Sequence, residues 1–154
     1  MSQTKYAVIG GIALVVVFGF IFFSTNNVGS ITSNTVIDVP KQPIHWHPIL
    51  EIIIDGKNIE IPENIGIGSV HDPVHTHDNT GTIHMEFERP TAKQMVLGYF
   101  FKVWGKKFSK ECIFDYCTDK GTLRMTVNGR DNNDFEGYPM KDGDQIVIEY
   151  QSLS

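Results

Sequence analysis

Sulfur is scarce in this chain of 154 residues, with two cysteines, Cys112 and Cys117, and no other sulfur ligand close to them in sequence. A metal site built mainly on thiolates is therefore disfavoured. Positive charge is also short. Thirteen Lys and Arg face 18 Asp and Glu, for a formal net charge of -5. A chain of that sign has no electrostatic reason to seek nucleic acid or anionic lipid headgroups. There is no glycine-rich phosphate loop, no serine nucleophile elbow and no internal repeat. Phosphoryl transfer and serine hydrolysis thus have nothing to stand on.

Charge is absent altogether from Tyr6 to Phe23, where the run from Ala7 is apolar throughout. A membrane-spanning helix needs about 17–25 such residues, so this stretch qualifies. A cleaved signal peptide is the alternative, but its apolar core is usually about 7–15 residues, and the exit at Val28 to Ser30 is a poor cleavage site. The expected organisation is a cytoplasmic tail (1–5), a transmembrane anchor (6–23), a polar tether (24–43) and an extracytoplasmic domain (44–154). Lys5, alone before the span, favours the inside for the N-terminus. Setting that lysine aside leaves -5 - 1 = -6 for the rest.

All six histidines fall between His45 and His84. Two come as His45-Trp46-His47, two as His75-Thr76-His77, with His84 following and His71 preceding the second pair. Residues two apart share a face of a strand, so each pair sets two imidazoles side by side. Imidazole is the commonest metal-binding side chain. His45, His47, His75, His77 and His84 are the expected ligands, with Glu86, Asp78 and His71 in reserve. Five exceed the four donors of a tetrahedral zinc site, which leaves either one supporting histidine or two sites. Asp78, Glu51 and Glu86 are placed to accept the second ring N–H of a bound histidine. A nitrogen-rich set fits copper or zinc, and not calcium.

The fold expected is α+β, a mixed sheet with one main packed helix. Ile44 to Asp55 reads as a strand with Trp46, Leu50, Ile52 and Ile54 on its core face. Asp55-Gly56 turns it into a partner at Lys57 to Ile61. Thr82 to Glu88 is a strand with His84, Glu86 and Glu88 on one face and Ile83, Met85 and Phe87 on the other. Thr91 and Gln94 match a capping box, opening a helix that Gly105 ends and that carries Val96, Leu97, Phe100, Phe101, Val103 and Trp104 inward. Cys112 to Cys117, Leu123 to Val127 and Gln145 to Tyr150 read as strands. In an oxidising compartment a Cys112–Cys117 disulfide is feasible; a thiolate site and free thiols are the alternatives.

Met125-Thr126-Val127-Asn128-Gly129 and the stretch Met140 to Ile148 resemble the end of ubiquitin-like β-grasp domains of the sulfur-carrier type. The terminal Gly-Gly of those carriers is missing, so carrier chemistry is not implied. More broadly, His45-Trp46-His47-Pro48, the run His75 to Asp78 with Thr80, Gly81, Ile83, His84 and Glu86, and Leu97-Gly98 with Phe100, Phe101, Trp104 and Gly105 resemble uncharacterised membrane-anchored proteins of ammonia-oxidising archaea. That likeness covers most of the domain beyond the tether and implies no activity; the copper dependence of such organisms points to copper.

The function expected is a histidine-rich module that holds or delivers copper or zinc outside the membrane, alone or as an accessory subunit of a membrane complex. One alternative is an enzyme using a three-histidine metal for hydration or hydrolysis. A cupin-type metalloprotein is its variant: His45, His47 and Glu51 match the first half of a cupin motif, but Gly56 falls too early and no second motif follows. The other alternative is an interaction domain without metal.

Overall fold

The computed structural model describes residues 37–153. Among the described residues, ten strands form three sheets, accompanied by one α-helix. A five-stranded sheet has the order β3-β2-β10-β8-β9 and a three-stranded sheet the order β1-β5-β4; β6 and β7 make a separate hairpin. The strands are β1 (Ile44–Trp46), β2 (Ile49–Ile54), β3 (Lys57–Ile59), β4 (Val74–His75), β5 (His84–Phe87), β6 (Cys112–Ile113), β7 (Tyr116–Cys117), β8 (Gly121–Val127), β9 (Arg130–Asp131) and β10 (Gln145–Ser152), with α1 at Leu97–Trp104. The α+β expectation holds. The apolar run at 6–23 lies outside the described residues, among which no helix is long and apolar enough to cross a membrane. Val39, in the stretch expected as tether, packs against the core.

The last strand organises the larger sheet. β10 runs parallel to β2 over six residue pairs and antiparallel to β8 over seven. Its residues Ile146, Ile148 and Tyr150 are buried, as are Leu50, Ile52 and Ile54 on β2. Strict alternation thus presents one apolar face, which meets Leu97, Phe100 and Phe101 of α1 in a single core cluster. Burying side chains of that size stabilises by about 1.5–3 kcal/mol each.

Four local expectations need correction. The strand expected from Ile44 to Asp55 is broken at His47-Pro48: β1 joins the three-stranded sheet and β2 the five-stranded one. Pro48 has no N–H for a ladder, and its carbonyl instead accepts from Ile83 N at 2.9 Å. The helix is shorter than its apolar pattern. A 3-10 turn covers Ala92–Gln94, and Val96 is extended because it bridges to Pro139. The Thr91 hydroxyl donates to the Gln94 side chain at 2.6 Å rather than capping the backbone. Finally, Cys112 to Cys117 is a hairpin turned at Phe114 (φ 54°), and a disulfide joins its two cysteines. Gly105, with φ 70°, ends α1 as expected.

The turn between His77 and His84 is pinned to the larger sheet. Gly81 accepts from Leu50 N at 2.9 Å, and Thr82 bridges to Ile49. Gly81 has φ +84°, and a Cβ there would collide with the Leu50 carbonyl oxygen. Gly56 has a similar φ of +73° but faces open space. Replacing Gly56 with Ala should cost about 1–2 kcal/mol for its left-handed backbone alone. Gly81→Ala should cost a further amount of about 1–3 kcal/mol for overpacking. Urea unfolding of the two variants checks this, and equal losses would contradict the close approach at Gly81.

Candidate metal centre

Register places the histidines. In the three-stranded sheet, His45 on β1 pairs with Glu86 on β5, and His84 on β5 pairs with His75 on β4. Directly paired residues point to the same face, and His84 and Glu86 share a face by alternation. Met85, between them, is fully buried on the other side. His47 and His77 each lie two residues beyond a paired histidine, just past the ends of β1 and β4. All five expected ligands therefore gather on one face, with β5 in the middle.

His84 is the hub of that face. Its ring centroid lies 4.6 Å from that of His77, 4.8 Å from His47, 5.5 Å from His75 and 6.4 Å from His45. The rings of each pair, His45 with His47 and His75 with His77, are 4.7 Å apart. Two groups of donors can hold a metal ion, His75 with His77, His84 and Glu86, and His45 with His47 and His84. Within each group the ligand atoms lie within 4.8 Å of one another.

The first group is the better prepared. His75 is 3% exposed, and its Nδ1 lies 3.0 Å from the Asp72 carbonyl. A carbonyl can only accept, so Nδ1 carries the proton and Nε2 keeps a free lone pair. That Nε2 is 3.1 Å from Nε2 of His77. An ion about 2.0–2.1 Å from each nitrogen would see them at an angle of about 100°, close to tetrahedral. His77 Nε2–H is then the donor of the metal-free contact, and its proton is the one a metal displaces.

Supports for this geometry come from α1 and from a loop. Asp72 Oδ1 accepts from Val74 N at 3.0 Å, and Asp72 Oδ2 accepts from the Tyr99 hydroxyl of α1 at 3.1 Å. Burial and this bond to Asp72 raise the Tyr99 pKa, so the phenol stays protonated as a donor. Gly66 lets the loop approach, since a Cβ there would be 2.7 Å from the Val74 carbonyl and 3.2 Å from the His75 Cβ. The second group has no buried member, and the His45 side chain is 63% exposed. His45 Nε2 lies 3.1 Å from Glu86 Oε1. The Asp142 carboxylate accepts from His47 N at 2.8 Å and stands 3.8 Å from His47 Nδ1.

The residues held in reserve divide. Glu86 joins the first group. His71 is exposed, with its ring 6.3 Å from that of His75, and belongs to neither group. Asp78 is turned to its own loop, where Oδ1 accepts from the Thr80 amide and hydroxyl; those bonds hold its carboxyl below the usual range. Glu51, expected to accept a ring N–H, instead accepts from Asn58 at 3.0 Å on the other sheet. The sequence reading missed Asp72 and Asp142. Asp72 leaves a local trace, three residues before His75. Asp142 leaves none, being 95 residues from His47.

Burial lowers the His84 pKa from its usual 6.5, and neighbouring His77, His47 and His75 lower it further against the pull of Glu86. In the unfolded chain this ring takes a proton near pH 6.5, whereas in the folded chain it does so only at lower pH. The unfolded state therefore binds more protons in that window, and stability must fall as pH drops below 6.5 towards the folded value. Urea unfolding with chelator present, at pH 7.5 and 5.5, should show this loss, and His84→Gln should reduce it. An equal pH dependence in the variant would show that His84 is not its source.

No family model matches this chain, no curated protein matches it, and no solved structure matches its fold.

Proposed function

We propose that the chain is a membrane-anchored, extracytoplasmic module that holds copper or zinc through His75, His77, His84 and Glu86, with His45 and His47 as further ligands. The observation that carries this is the convergence of His75 Nε2 and His77 Nε2 at 3.1 Å, with the His75 tautomer set by the Asp72 carbonyl. Three imidazoles and one carboxylate supply four donors. Four protein donors make a closed site, whereas a catalytic zinc keeps one position open. Holding or delivery is accordingly favoured over catalysis.

Nitrogen and oxygen donors without thiolate suit Cu(II) or Zn(II), and the resemblance to proteins of ammonia-oxidising archaea favours copper. The extracytoplasmic location is supported by the Cys112–Cys117 disulfide, a bond that persists in oxidising compartments. The anchor rests on the apolar run from Tyr6 to Phe23. From an anchored position the module would serve as accessory subunit of a membrane complex. We also read the fold as β-grasp-like. The sheet order β3-β2-β10-β8-β9, the parallel pairing of β2 with β10 and the helix between β3 and β8 support that reading.

Elemental analysis tests the proposal on the full chain, purified in detergent without a histidine tag or chelator. Copper or zinc should be present in stoichiometric amount and lost in the His75→Ala/His77→Ala double variant. An absence of both metals, persisting after reconstitution with either ion, would overturn the proposal and favour an interaction domain.

A further inference from the structure

Among the described residues, every ring contact linking the two histidine pairs runs through His84. It is also the one residue common to both donor groups. Its imidazole has two nitrogens, and each pair lies on and just past a strand beside its own, His45 and His47 at β1 and His75 and His77 at β4. Nδ1 of His84 is buried and has no hydrogen-bond partner. The carboxylate oxygen Glu86 Oε1 is 3.9 Å away, too far for a hydrogen bond. As a bare nitrogen it has a lone pair to which no protein group donates, and a cation supplies what the protein does not.

We propose that the histidine face holds two metal ions at once, bridged by the His84 ring with one nitrogen to each; this deepens the metal-holding function and rests on it. The first ion sits among His75, His77 and Glu86, and the second is taken by His45 and His47. As the second nitrogen–metal bond forms, the remaining ring proton of His84 leaves to water and the ring becomes an imidazolate. Nothing is oxidised or reduced. The anionic ring lies between the two cations and offsets their repulsion. Glu86 adds to this, since its Oε1 is 3.1 Å from His45 Nε2 and so reaches towards both groups. Asp142, beside His47, supplies a further negative charge on the outer side.

The two positions differ in preparation. His75 is buried and its Nε2 already stands 3.1 Å from Nε2 of the exposed His77, whereas His45 is exposed and His47 half-buried, with Glu86 and Asp142 as their carboxylate neighbours. The position whose two nitrogens already converge, between His75 and His77, therefore fills first.

Cu(II) is the probe, added to the metal-free full chain while its electron paramagnetic resonance is recorded. One equivalent should give an isolated Cu(II) signal. A second equivalent should bind and reduce that signal towards zero, because two spins couple through a shared imidazolate. His84→Gln should abolish the coupling, leaving a signal that grows with every ion bound. His45→Ala/His47→Ala, at positions outside the buried core and checked for native far-ultraviolet circular dichroism, should bind one equivalent with an uncoupled signal. Two equivalents with full uncoupled intensity in the wild-type chain would overturn the bridge, as would coupling that survives His84→Gln. Saturation at one equivalent would overturn the second site while leaving the holding function intact. Failure to bind any Cu(II) or Zn(II) would overturn the holding function itself.

Discussion

The pairing of β5 with β1 on one side and β4 on the other is the constraint on which the rest of the site depends. It sets His45 opposite Glu86 and His84 opposite His75. A slip of one residue in either pairing would turn a strand's alternate set to the opposite face. The histidines of that strand would then point at the core and its apolar residues at water. The buried set Val74, Met85 and Phe87 makes such a slip costly, so the same apolar burial that stabilises this sheet also aligns the imidazoles. Stability and site geometry share one cause here.

Much of this is legible in the amino-acid sequence alone. Spacing of two placed His45 beside His47 and His75 beside His77, and alternation from Thr82 to Glu88 put His84 and Glu86 on the face opposite Met85. The hairpin at Asp55-Gly56 is present, with both residues at positive φ, as a tight turn of that kind requires. What the sequence could not reveal depends on partners remote in the chain. Val96 has the right periodicity for the helix, yet pairing with Pro139 draws it into an extended conformation. Glu51 sits four residues from His47, yet the break at Pro48 carries it to a different sheet. Asp142 reaches His47 only because the turn before β10 comes back beside the start of β2, where Ile49 N donates to the Asp144 carbonyl at 2.8 Å.

That turn is itself anchored by a buried carboxylate. Asp144 is 5% exposed, and it accepts from the Tyr138 hydroxyl, the Asn128 side chain and Lys141 N at 2.7, 3.0 and 2.8 Å. Burial and the bond to Asp144 push the Tyr138 phenol well above its ordinary range, so this donor is never lost near neutral pH. A buried carboxylate with three donors is tolerable where an unpaired one would not be. Its consequence for the site is positional. The Asp144 network fixes the turn that presents Asp142 to His47, just as α1, through Tyr99 and Asp72, fixes His75. Each side of the histidine face is thereby tied to a different part of the larger fold.

The strands that carry the histidines are short. β1 has three residues and β4 only two, so backbone pairing alone contributes little to hold them on β5. Under the proposed function, an ion bound by His75, His77 and His84 would tie β4 to β5, and a second bound by His45, His47 and His84 would tie β1 to β5. Ligands drawn from separate strands make metal binding and sheet formation one thermodynamic event, with the ion's affinity added to the stability of the folded form. The larger sheet has no such need. Its strands β2, β8 and β10 are six to eight residues long and close over a shared apolar core. Both sheets bury residues in one core, but the smaller has so few paired residues that a bound metal would matter to it.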